Sequence, residues 1–216
     1  MRTGFPLTLS LLLIGCHVGG LHTERSFPDD VERVVVLLDS GNIDVSGVPG
    51  QLARVHIDMV GVVDEYSGMS VQDGVLTVDY RCGMACGGDV RVEVPPDVDV
   101  EVRLERGDIW IDSMDGEIRG TLGAGDLWTT SLGSRDIALA VGAGDLAVET
   151  TGEPLSLWAD LGAGDASLTV PAGGYRLVEM DLAVGELWMD GVHEDRSAPG
   201  RIHVRAGVGV VWINGE

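Results

Sequence analysis

The chain has 216 residues, with 14 Lys and Arg against 35 Asp and Glu, a formal charge of −21 and no lysine. A surface this acidic repels phosphate backbones and anionic headgroups, which excludes nucleic acid as a partner. Thirty-two glycines among alternating Val, Leu and Ile exclude a helical bundle and predict many short strands joined by tight turns.

Residues 1–15 have the form of a signal peptide. Arg2 supplies the positive start, and Phe5 to Ile14 form an apolar stretch too short to span a bilayer. The stretch ends in Leu13-Ile14-Gly15-Cys16, which resembles the bacterial lipobox. That resemblance implies cleavage before Cys16 and lipid on its sulfur. Two or more acyl chains at about 0.8 kcal/mol per buried methylene give stable anchoring. The expectation is a lipid-anchored envelope protein. In a cell with two membranes, His17 in place of an aspartate favours the outer one.

Residues 16–28 read as a polar, lipidated tether. Candidate strands follow at Val31–Leu38, Asn42–Val48, Ala53–Val62, Val75–Tyr80, Val90–Val94 and Val98–Leu104. Turn signals separate them: Asp39-Ser40-Gly41, Pro49-Gly50, Asp73-Gly74 and Pro95-Pro96. Cys82 and Cys86, an even pair at short range in an exported chain, read as a disulfide closing a small loop. A zinc site there needs two further ligands, and His17, His22, His56, His193 and His203 are scattered along the sequence. No stretch after the leader carries a 3.6-residue apolar period, so essentially no helix is expected.

From residue 105 the chain repeats itself. Copies stand at Gly107-Asp108-Ile109-Trp110-Ile111, Gly125-Asp126-Leu127-Trp128, Gly144-Asp145-Leu146-Ala147-Val148, Gly164-Asp165-Ala166-Ser167-Leu168 and Gly185-Glu186-Leu187-Trp188-Met189, with a degenerate last one at Gly209-Val210-Val211-Trp212-Ile213. Successive acidic residues are 18, 19, 20 and 21 apart, with half-steps such as Gly116-Glu117-Ile118 between them. A unit this short cannot bury its apolar side alone and must stack on its neighbours. The fold expected is all-β: a right-handed parallel β-solenoid, one domain over 29–216, regular over 105–216 and with longer, irregular coils before that. The run Val92-Glu93-Val94-Pro95, then Val98–Leu104, then the Gly-Asp-Ile/Leu rungs, resembles the bacterial "putative adhesin" family of β-solenoid domains. The resemblance covers about residues 31–216. It implies the fold and supplies no catalytic residues.

Two columns of the repeat are candidate sites. Asp108, Asp126, Asp145, Asp165 and Glu186 align, and stacked parallel strands lie about 4.8 Å apart, so their charges need an offset. One reading is calcium bridging neighbouring carboxylates; the other is that each carboxylate caps backbone N–H groups of its own glycine turn. The second column is Trp110, Trp128, Ala147, Ser167, Trp188 and Trp212. Aliphatic residues flank the tryptophans and claim the interior, which turns the aromatics outward. Exposed aromatics on a flat β-face suit a sugar ring or a protein partner. Catalysis would need a convergent, asymmetric set of groups, and no GxSxG, HExxH or phosphate-cradling loop occurs. The expectation is a non-catalytic envelope module, binding or scaffolding, that presents this acidic, tryptophan-marked surface to an envelope glycan or protein without a cofactor. A calcium-binding structural solenoid and an envelope polysaccharide-active enzyme are the alternatives.

Overall fold

The computed structural model describes residues 20–27, 30–61, 68–81 and 86–216. Among them are sixteen strands and no helix. In chain order these are β1 (Gly20–Phe27), β2 (Arg33–Gly47), β3 (Ala53–Gly61), β4 (Gly68–Gln72), β5 (Val75–Tyr80), β6 (Cys86–Val94), β7 (Asp99–Asp112) and β8 (Ile118–Ala124). The second half holds β9 (Leu127–Leu132), β10 (Asp136–Ala143), β11 (Leu146–Thr150), β12 (Ser156–Ala163), β13 (Ala166–Val170), β14 (Gly173–Asp190), β15 (Val192–Glu194) and β16 (Arg201–Gly215). No helix of the described residues is long and apolar enough to cross a membrane.

The architecture is all-β and mostly parallel. From β7 the hydrogen-bonded path runs through β8, β10, β12, β16, β13, β11 and β9 and returns to β7, closing an eight-strand barrel. β7 and β16 make the closure because each is long enough to pair in two halves. Val100–Arg106 lies beside β8 and Ile109–Asp112 beside β9; Arg201–Val208 lies beside β12 and Val211–Gly215 beside β13. Outside the barrel stand β2 with β5 and β6 on one side, and β14 with β15 on the other.

Alternation along each strand explains the core. Ile109 and Ile111 of β7, Leu127 of β9, Leu146 and Val148 of β11, Leu168 of β13, and Val211 and Ile213 of β16 are all essentially inaccessible. Each short strand can bury only two or three such side chains, so closure of one wall on the other supplies the apolar environment. The turn between half-rungs needs glycine for two reasons. Gly125, Gly144 and Gly164 have φ of 130°, 132° and 137°. A Cβ on any of them would stand 1.8–1.9 Å from the carbonyl oxygen of the glycine one rung earlier. Positive φ and backbone-to-backbone approach both bar a side chain.

Several expectations are corrected. Most of the segment read as a tether is strand: β1 pairs antiparallel with β3, and Phe27 at its end is buried. Only Leu21 and Phe27 among its side chains are apolar, too few to mark a strand by alternation. β4, too polar to signal itself, forms a hairpin with β5. The two segments read over 31–48 are one strand, β2, bent at Gly41, and the segments read over 98–111 are likewise one, β7. The irregular early part is antiparallel in its pairs β1–β3, β3–β6 and β4–β5.

The stacking order also departs from chain order at both ends. β2 lies between β5/β6 and β7, and β16 lies between β12/β13 and β14. The strand inserted at the second of these positions is the one whose inward residues, Ile202, Val204, Ala206, Val211 and Ile213, are buried. β14, left outermost, is exposed over all of 183–190.

Of the residues expected to carry covalent chemistry, Cys16 and Cys82 lie outside the described residues. Of Cys86 only the backbone falls within them.

Candidate functional site

The acidic column is a hydrogen-bond ladder. Asp126 Nα–H donates to Asp108 Oδ1 at 3.0 Å, Asp145 N–H to Asp126 Oδ1 at 2.8 Å, and Asp165 N–H to Asp145 Oδ1 at 3.0 Å. Val210 N–H then donates to Asp165 Oδ1 at 2.9 Å. At the other end Asp108 N–H donates to Asn42 Oδ1 at 3.3 Å, and Asn42 Nδ2 donates to Asp89 Oδ1 at 2.8 Å. The positive-φ glycine turns this one N–H out of the regular pairing between rungs, and the carboxylate of the rung before receives it. The acceptor therefore serves its neighbour's turn, which corrects the expectation that each carboxylate would cap its own. Glu186 does not follow Asp165: β16 intervenes, and Glu186 sits opposite Val210. A charge-assisted bond to each N–H offsets the repulsion between stacked carboxylates.

The second column runs in register as Asp44, Trp110, Trp128, Ala147, Ser167, Trp212 and Trp188. All four tryptophans point away from the core. Trp110 and Trp128 stack with centroids 5.1 Å apart and planes at 19°. Trp188, on the outermost strand, is 58 % exposed, and its indole N–H donates to Glu186 Oε2 at 3.2 Å. Ala147 and Ser167 leave a two-rung gap between the Trp110–Trp128 pair and Trp212. The result is a flat strip with an aromatic surface at each end and small side chains between.

The structure also brings together residues that no motif marked. On the strands of the other half-rungs, Trp158 stacks on His203 with centroids 4.7 Å apart. It borders an open hollow of about 310 Å³ floored by Ala138 and Ala140 and walled by Arg103, Arg119 and Asp160. On the antiparallel sheet, His22, His56 and Asp58 converge, each offering a ligand atom within 4.8 Å of the others. His22 Nδ1 lies 2.5 Å from Asp58 Oδ1, and His56 Nε2 lies 2.8 Å from Asp58 Oδ2. Hydrogen bonds from the two imidazoles hold the Asp58 carboxyl below its ordinary value. The same contact, with the charge of Asp58, holds His22 above its own. The spacing His56-x-Asp58 on a strand was a legible hint of a shared face; the third member, 36 residues away in sequence, was not.

No protein-family model and no curated protein matches the chain. Solved structures do. A "putative cell adhesion protein" from Clostridium sporogenes superposes with a TM-score of 0.52 at 13% identity, over 92% of this chain and 100% of that one. A "putative adhesin" from Bacteroides fragilis covers 91% of this chain and 97% of its own at 10% identity, with a TM-score of 0.47. The chain shares an adhesin-like β-fold with the first of these.

Proposed function

We propose that the protein is a non-catalytic cell-envelope binding module, lipid-anchored through Cys16, whose flat tryptophan-marked strip engages an envelope glycan or an envelope protein. The observation that carries this reading is the register of Trp110 and Trp128 with Trp212 and Trp188 on one outward face, separated by Ala147 and Ser167. Indole rings held flat on a rigid sheet lose little freedom on binding and offer large apolar faces to a sugar ring or a partner side chain. The acidic surroundings select against anionic partners and favour neutral or basic ones. The rung-on-rung parallel register supports reading the closed barrel as a right-handed coil of stacked rungs, the geometry that gives the strip its length. The description of the Clostridium structure as a cell adhesion protein points in the same direction.

The test is capture of isolated envelope polysaccharide, and separately of solubilised envelope protein, by the full chain and by the double variant Trp110→Ala/Trp128→Ala. Both side chains lie outside the core, so the variant should melt within a few degrees of the parent. Its capture should fall at least about tenfold, as expected for paired aromatic anchors. Equal capture by parent and variant would remove the strip from the binding site.

A further inference from the structure

The antiparallel sheet formed by β1, β3 and β6 gathers two histidines and two aspartates on one face. Direct register sets His22 of β1 opposite Asp58 of β3, and Asp58 opposite Asp89 of β6. His56 lies two residues before Asp58 and so on the same face. Four potential ligands thus share one patch of rigid sheet, and two of them are imidazoles. This row continues into Asn42, Asp108 and the carboxylate ladder, but Asp58 is used differently. Its oxygens meet His22 and His56 in place of a backbone N–H.

We propose that His22, His56 and Asp58 form a site for a divalent transition-metal ion of the zinc class. Two nitrogen donors and one carboxylate leave a fourth position for Asp89 or water. That donor set suits zinc and not calcium, which takes six to eight oxygen ligands. The ligand atoms already lie within 4.8 Å of one another. Around a tetrahedral ion with bonds of about 2.0–2.2 Å they would stand roughly 3.4 Å apart, so side-chain rotation alone closes the site. Arg91, directly across from His56, does not block it, because its guanidinium is turned to Asp44 at 3.3 Å. Glu24, on the other side of His56, lies 3.8 Å from Arg54. The site is open to solvent, with side-chain exposures of 69% for His22, 32% for His56 and 52% for Asp58. The negative field of the ladder beyond it, in a molecule of charge −21, draws cations towards this face.

The experiment is a calorimetric titration of the full chain with zinc, paired with the absorption spectrum of the cobalt-loaded protein. The expected result is one saturable zinc equivalent and the intense visible bands of a four-coordinate cobalt centre. His22→Ala and His56→Ala should each weaken zinc binding at least about tenfold while leaving the circular dichroism unchanged, since both rings point outward. His193→Ala serves as the control and should bind zinc as the parent does. Absence of saturable binding, or zinc affinity that survives both substitutions, would overturn the site.

Discussion

At the scale of single residues, the Gly-Asp pair that recurs through the chain does two jobs that only stacking reveals. The glycine admits the backbone of the rung below, and the aspartate receives the N–H that the turn leaves over. Asn42 occupies the same ladder position and accepts through its amide oxygen, so charge is not required of the acceptor. Asp126→Asn should therefore fold within about 0.5 kcal/mol of the parent. Asp126→Ala leaves the Asp145 N–H to water and should cost about 1 kcal/mol. Equilibrium urea unfolding distinguishes them, and equal losses for both substitutions would mean that the carboxylate's charge, not its hydrogen bond, matters.

At the scale of elements, pairing between β2 and β7 depends on contacts 68 residues apart in sequence. Glu101 of β7 accepts from Arg33 of β2 at 2.5 Å and from Arg103 at 2.6 Å. Burial works to raise the Glu101 carboxyl, and the hydrogen bonds from the two arginines outweigh it, holding the group below its usual 4.5. A carboxyl whose value falls on folding contributes stability above its unfolded value, and that contribution disappears as pH drops through the folded value. Glu101→Gln should then be about 0.5–1 kcal/mol less stable than the parent near neutral pH, a figure limited by the exposure of Arg33. The deficit should shrink steadily as the pH falls below about 4.5. A deficit that persists unchanged in acid would assign the loss to packing and not to charge.

At the scale of the whole molecule, the insertion of β16 between β12/β13 and β14 decides where the structure is weakest. β16 is hydrogen-bonded on both sides although it is the last strand in the sequence. β14 has β16 on one side and, on the other, only the short β15 at its beginning, and Val184, Trp188 and Met189 are exposed. Opening free energy follows buried contacts and hydrogen-bonded neighbours, not position in the chain. Native-state hydrogen exchange should find the 183–190 amides among the fastest of the strands and those of Ile202–Ala206 among the slowest. Exchange of β16 together with β14 would mean that the two open as one unit.

Legibility follows the same division of scales. The Gly-Asp rungs, the outward tryptophans and the strand at Val75–Tyr80 were readable because alternation and positive-φ glycines act within a few residues. β1 and β4 were not, since their charged and polar residues are stabilised by the partner strands β3 and β5 and carry little apolar pattern of their own. The Trp158–His203 stack and the meeting of His22 with Asp58 depend on pairings 45 and 36 residues apart, so that of the cluster only the His56-x-Asp58 spacing was local. By itself the sequence determined an acidic all-β chain built of short parallel rungs, with its glycines, carboxylates and tryptophans in columns. Tertiary structure alone decided which rung lies beside which, and so which N–H each carboxylate receives, where the barrel closes and which strand is left exposed. The physical reason is that the rungs are nearly equivalent locally, so strand order is chosen by the burial and hydrogen bonding each edge gains from its neighbour.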